Sequence, residues 1–465
     1  MQASLSKKDE KFRDFSLNGP MGKVVMQVGL PLALYQSLNQ LFKILDTMMA
    51  SHIGASTVSA VSYLSQINLM LSALGGGLAV GASIKVSQAY GAGDFELVKR
   101  RVSTLFAMCT ILGFGMLLIL VPFTPQFLRF MNTPEEFIKE GSTYFILELL
   151  ALVIIFFNNV YIAIERARGN SRRILYLNMA VIVVKFSLTA WFVYGLHGDI
   201  NMISLATILS QSFMLLAAVI NLNQKGNAFG FSLKAISFRR EVTMPMLRLS
   251  LPVIVEKAAF AMGKVVINSM STVYGSLTVG ALGVSNNIGG ITTTPQNGFQ
   301  EGESAIISQN LGAKNPLRAL SAFKWSLIIN VIIGVFFMSL SLFFLGPIAN
   351  FFAGDDTEFA GMIAEIYRWE ALGAVPLGVS AAVLGLLYGF GKTKITLFIN
   401  FCRVFVFRVP VLMGLQKFTE LGNVSAGIVM AVSNISTGVL TAVVAVVEIN
   451  KICKEYGVAF FRKKC

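Results

Sequence analysis

Apolar stretches long enough to cross a bilayer recur from one end of the chain to the other. Twelve are read, near 22–50, 55–90, 95–122, 135–168, 172–195, 200–223, 243–274, 277–311, 316–346, 357–390, 393–417 and 423–450. A hydrocarbon core about 30 Å thick takes about 20 helical residues, and backbone inside it must satisfy its own hydrogen bonds. Only 13% of the 465 residues are charged, about half of what a soluble domain carries. Strict alternation in segments of about ten residues, the mark of a membrane barrel, is missing. The expectation is an all-α polytopic membrane protein with twelve transmembrane helices.

An even number of spans places both termini on one side, and the basic residues say which. Of 38 Lys and Arg, only Arg129, Lys139 and Lys417 fall in loops on the side away from the termini. The positive-inside rule then puts both termini in the cytoplasm. Loop bias therefore accounts for the net charge of +14, and no nucleic-acid partner is expected. Residues 1–20 read as a polar cytoplasmic tail without the apolar core of a signal peptide. Residues 224–242 read as a basic cytoplasmic linker and 451–465 as a basic cytoplasmic tail. The expected location is the plasma (inner) membrane, with lipid and small molecules as partners and the monomer as the working unit. Cys109, Cys402, Cys453 and Cys465 have neither metal-ligand nor disulfide spacing, and no cofactor is expected.

The chain repeats itself at an offset of 221 residues. Pro31 meets Pro252, Lys43 meets Lys264 and Gly54 meets Gly275. The stretch GLAVGASIKVSQAYGAG then meets GFQEGESAIISQNLGAK, pairing Gly77 with Gly298, Gly81 with Gly302 and Gln88 with Gln309. One further residue of offset pairs Glu148 with Glu370, Gly169 with Gly391 and Asn178 with Asn400. Two six-helix bundles follow, an N-lobe over 21–223 and a C-lobe over 243–450, related by a pseudo-two-fold along the membrane normal.

A Leu-Pro helix ending in LDTMMASHIG, a second helix ending in SQAYGAGD (echoed as SQNLGAKN) and a fourth ending in ERARGNSRR occur in this order. Together they resemble the multidrug and toxic compound extrusion (MATE) family of antiporters over roughly residues 20–455. The resemblance implies twelve helices in two bundles forming a V. It also implies export of drugs or other small amphipathic compounds by alternating access between two lobes, driven by inward H+ or Na+. Asp46 matches the acid that the family's N-terminal lobe uses to bind the coupling ion; alternatively it is neutralised by Lys43 one turn away. Asn178 matches an amide that helps hold the ion in some members, or else serves a helix–helix hydrogen bond. Some members carry an acid where this chain has Ile182, with Lys185 nearby.

Eight basic residues fall inside spans: Lys43, Lys85, Lys185, Lys257, Lys264, Arg368, Arg403 and Arg408. Ionisable groups at that depth face a cavity or each other. Glu301 and Glu303 are the most telling acids, because their repeat counterparts are Val80 and Ala82. Two positions on a helix are about 200° apart. Glu301 is expected to face a cavity and take part in coupling, and Glu303 to be held in an ion pair. Glu256, Lys264, Glu303, Lys43, Lys85, Glu148 and Glu370 form the expected substrate-cavity or ion-pair network.

No enzymatic site is expected. His52 and His197 lie in predicted loops, and Gly75–Gly77 lacks the Lys-Ser/Thr of a phosphate loop. The alternative to drug export is a flippase or exporter of an anionic lipid-linked or metabolite substrate on the same architecture, which would use the intramembrane basic residues.

Overall fold

The computed structural model describes residues 5–50, 55–131, 133, 135–224, 227–354 and 356–459; within these, the side chains of 8, 42–50, 55–63, 136, 137, 139 and 140 are not among the described ones. The first part of the chain forms α1 (Lys7–Asn18), α2 (Met21–Ala50), α3 (Ala55–Ala92), α4 (Phe95–Leu120), α5 (Thr124–Phe130), α6 (Glu135–Arg168), α7 (Ser171–Ala190) and α8 (Ile200–Leu222). The second part forms α9 (Arg240–Ser271), α10 (Ser276–Gly312), α11 (Pro316–Phe343), α12 (Leu345–Ala353) and α13 (Thr357–Ala371). It continues with α14 (Ala374–Gly389), α15 (Thr393–Phe401), α16 (Val409–Phe418) and α17 (Val424–Glu455). Single π turns, Trp191–Gly195 and Cys402–Val406, follow α7 and α15. No strand occurs among the described residues.

Among the described residues, eight helical stretches are long and apolar enough to cross a membrane, or nine when α13 and α14, bent by 48°, are taken as one. The protein is multi-pass. The long helices α2, α9 and α10 fall outside that set. α9 carries Pro245, Pro252, Glu256, Lys257 and Lys264, and α10 is rich in Gly, Ser, Thr and Asn with Pro295 inside it.

Local signals place the breaks, and they repeat. α3 ends at Gly93, φ +80°, and Asp94 then caps α4 by accepting from Leu97 N at 3.0 Å. At the equivalent place Lys314 has φ +58° and Asn315 caps α11 by accepting from Arg318 N at 3.2 Å. A residue in the left-handed region followed by a side-chain cap stops one helix and starts the next. Gly169 and Gly391, with φ +86° and +72°, end α6 and α14 in the same way.

By contact the chain forms two compact units, one of 1–14 with 41–258 and one of 15–40 with 259–465. The first half of α2 thus belongs to the second unit and the first half of α9 to the first, so the sequence halves and the contact units differ there. Small residues make this possible. In the first unit, a Cβ on Gly77 of α3 would stand 2.6 Å from Ile254 Cα, and one on Gly81 would stand 2.4 Å from Ser250 Cα. In the second unit, a Cβ on Gly298 of α10 would stand 2.4 Å from Ala33 N, and one on Gly302 would stand 3.2 Å from Gly29 Cα. Ile254 and Ser250 are the repeat counterparts of Ala33 and Gly29. These are two copies of one close helix–helix contact, backbone against backbone, of the kind glycine permits in membranes.

The segment expected as a polar tail is the helix α1. In the first unit, Arg168 donates from Nε to Asp9 Oδ1 at 2.8 Å and from Nη2 to Asp9 Oδ2 at 2.5 Å. Arg13 donates to the carbonyls of Tyr90 and Gly91 at 3.1 and 2.8 Å, satisfying the open C-terminus of α3. Burial pushes the Asp9 carboxyl up, but the Arg168 guanidinium and the Ser6 hydroxyl outweigh it and hold the group below the usual carboxylate range. In the second unit, Ser16 donates to Gln309 at 2.6 Å. The repeated SQ…G and ERARGN stretches are therefore docking points for α1. The basic linker is also pinned: Ser103 and Thr104 of α4 accept from Ser232 N at 3.0 Å and Ser237 N at 3.1 Å.

Candidate functional site

In the first unit, Glu148, Asn178 and Lys85 make hydrogen bonds to neutral groups. Glu148 of α6 accepts from Ser204 of α8 at 2.7 Å and from Asn68 of α3 at 3.3 Å. Asn178 is buried and donates to the Ile174 carbonyl of its own helix at 2.8 Å. Lys85 donates to Gln88 at 2.9 Å. Glu256 is buried, and the Lys257 chain runs past Gly76. The side chains of Lys43 and Asp46 lie outside the described residues.

In the second unit, α10 runs unbroken through Pro295 and keeps its two acids on different faces. Glu301 is half-buried, and its Oε1 accepts from Gln36 of α2 at 3.4 Å. Glu303 is wholly enclosed where α10 packs against α11 and α14. Its carboxyl presses on Gly385, where a Cβ would stand 2.5 Å from Oε2, and the Ser326 hydroxyl is its polar neighbour. Neither carboxyl oxygen has a hydrogen-bond partner of proper geometry. The expectation of an ion pair at Glu303 is corrected. The helix turns this side chain away from Glu301 into a seam of small residues, and no Lys or Arg reaches it among the described residues.

Glu370, the counterpart of Glu148, repeats one feature and changes the rest. Its Oε2 accepts a short hydrogen bond from Ser285, as Glu148 accepts from Ser204. Around it, however, stand Lys264, Arg403 and Arg408, all within Coulomb range. The three cations gather on one ring: Lys264 Nζ lies 5.3 Å from the Phe260 centroid, Arg403 Cζ 5.3 Å and Arg408 Cζ 5.9 Å. Arg403 and Arg408 both donate to Asn434 Oδ1, at 2.9 and 3.1 Å, and Arg408 Nε donates to Ser433 at 2.8 Å. Phe260, Ser433 and Asn434 were not among the expected site residues, and Arg403 and Arg408 were noted only as intramembrane charges. The available signal was two arginines in mid-span, five residues apart. The π turn at Cys402–Val406 widens the helix between them, a feature that often marks function.

Comparison with known proteins fits this arrangement. The MatE family matches residues 31–191 and 252–413, two segments that begin at the offset of the internal repeat. The Bacillus subtilis protein named "Probable multidrug resistance protein YoeA" is 24% identical over 402 residues, covering 84% of this chain and 86% of its own. The Staphylococcus haemolyticus "Multidrug export protein MepA" is 22% identical over 392 residues, covering 83% and 85%. A crystal structure described as MATE in complex with MaL6 superposes with a TM-score of 0.91 at 20% identity, covering 97% of this chain and all of that one. Two homologous segments, one family match to each and a shared twelve-helix fold together establish that the chain belongs to the MATE family of transporters.

Proposed function

We propose that the protein is a secondary active antiporter that exports drugs or other small amphipathic organic compounds in exchange for H+ or Na+, by alternating access. The names of the relatives support export. The observation that carries the coupling is Glu303, a carboxyl sealed among α10, α11 and α14 with no cation and no proper hydrogen bond among the described residues. Burying a lone carboxylate is too costly for it to stay bare. A proton or cation must join it whenever the helices close around it, and can leave when they open to water. Such a site ties the ion to conformation, because binding favours the closed packing and release favours the open one. Asp46, Asn178 and Glu301 are the further coupling candidates. The excess of basic residues in the loops beside the termini supports a plasma membrane location with both termini cytoplasmic.

The test is dye export by purified protein in proteoliposomes, under an imposed pH gradient alone and then a Na+ gradient alone. One gradient should drive transport, and Glu303→Gln should abolish the driven component while folded protein is recovered in normal yield. Undiminished gradient-driven export by Glu303→Gln would remove Glu303 from the coupling.

A further inference from the structure

We propose that the second unit holds a binding site for an anionic group at Arg403, Arg408 and Lys264, so that the exported compounds include amphipathic organic anions. This rests on the export reading above and names the substrate chemistry that it leaves open.

The argument is one of charge. Arg403 and Arg408 lie in the middle of a membrane-spanning segment, Thr393–Phe418. Neither is in an ion pair among the described residues; every hydrogen bond they make goes to the neutral side chains of Ser433 and Asn434. Two guanidiniums share the single oxygen Asn434 Oδ1, and the buried Nε of Arg403 has no acceptor. For the two guanidiniums there is the one carboxylate of Glu370, and one of its oxygens is engaged by Ser285. Phe260 supplies a ring face to all three, an attraction that softens but does not neutralise them. Intramembrane charge of one sign calls for a counter-charge, and among the described residues the two arginines meet only the carboxyl of Glu370.

What fits is a group with two or three oxygens in a plane or a tripod. A guanidinium fork with free donors matches carboxylate, sulfonate and phosphate. The cluster is also graded in access. Lys264 is exposed, Arg403 is half-buried and Arg408 is 4% exposed. An anion would meet the lysine first and settle on the arginines. The equivalent Glu148 of the first unit accepts from Asn68 and Ser204 among the described residues. The repeat has thus diverged at the residues that set charge while keeping its scaffold.

The experiment measures carboxyfluorescein binding to the purified full chain by fluorescence anisotropy, without any gradient, beside ethidium as the cationic probe. Saturable carboxyfluorescein binding is expected, weakened about tenfold or more by Arg403→Gln and by Arg408→Gln, with ethidium binding held or improved. Because losing an arginine could unfold the site, Asn434→Asp is the second variant. It keeps both arginines and supplies an internal counter-ion, and should also weaken carboxyfluorescein about tenfold. Folded wild type that binds ethidium but not carboxyfluorescein would overturn the proposal. So would carboxyfluorescein binding that is unchanged in folded Asn434→Asp. Loss of carboxyfluorescein binding on adding phosphatidylglycerol to phosphatidylcholine nanodiscs would assign the cluster to a lipid headgroup and equally overturn it. If binding behaves as expected but no gradient drives dye across proteoliposomes, the export reading fails and the anion site stands.

Discussion

Replacing Gly298 with Ala should be the most damaging single-methyl change in the second unit. The added Cβ would stand 2.4 Å from Ala33 N, 2.5 Å from Ala33 Cα and 2.7 Å from Leu32 C. Non-bonded carbons rest at about 3.5–4.0 Å, so α2 must retreat by about 1 Å. The atoms in the way are backbone, and no rotamer change can relieve them. Overpacking costs about 1–3 kcal/mol when side chains can shift, and this site should lie at or above the upper end. Gly81→Ala should behave alike in the first unit, since its Cβ would stand 2.4 Å from Ser250 Cα. Gly302→Ala is the discriminating comparison. Its Cβ would meet Gly29 Cα at 3.2 Å, a few tenths of an ångström too close. The helix propensity of Ala, better than Gly by about 1 kcal/mol, should offset most of that. Gly283 in the same helix has open space around it, and Gly283→Ala should be neutral or stabilising. Thermal unfolding of purified protein, followed by size-exclusion of the surviving monodisperse fraction, should rank Gly298→Ala and Gly81→Ala well below Gly302→Ala, with Gly283→Ala at or above wild type. A Gly298→Ala protein as stable as Gly302→Ala would refute the backbone contact between α2 and α10.

Asp9→Asn should loosen α1 by about 1–3 kcal/mol, less than the about 3–5 kcal/mol of a broken buried pair because Glu165 still holds Arg168 at 3.2 Å; amide hydrogen exchange in α1 would report it. The Asp9 carboxyl is held below its unfolded value, so its contribution is full above about pH 4 and is lost as pH falls through the folded value; an acid titration of α1 protection should show this step in wild type and lack it in Asp9→Asn. Glu303→Leu should fold at least as well as wild type, since the carboxyl has no partner to lose, and yet be dead in gradient-driven export; a large drop in folded yield would mean that a partner was overlooked. Asp46→Asn, which keeps shape but cannot cycle a charge, should abolish coupled export at normal expression, and full dye resistance of cells carrying it would exclude Asp46 from coupling.

The sequence by itself determined what depends on neighbours along the chain. A bilayer tolerates only backbone that bonds to itself, so apolar length alone gave away the helices, and caps such as Asp94 and Asn315 fixed where one stops and the next begins. The repeat was visible because both copies meet the same physical demand at Gly77 and Gly298, or at Gly169 and Gly391. Tertiary structure decided everything that depends on which face of a helix meets which neighbour. Knowing that Glu301 and Glu303 diverge did not say which one would be entombed, because that is set by Ser326 of α11 and Gly385 of α14, more than twenty residues away. The convergence of Lys264, Arg403 and Arg408 on Phe260 was invisible for the same reason: three helical segments had to be rotated about their axes before their cations shared a ring. The first half of α2 could not be assigned to the second unit from its own residues, because the space it fills was made by glycines of α10. Periodicity is local and survives in one dimension; the rotation and pairing of helices are settled only by long-range packing.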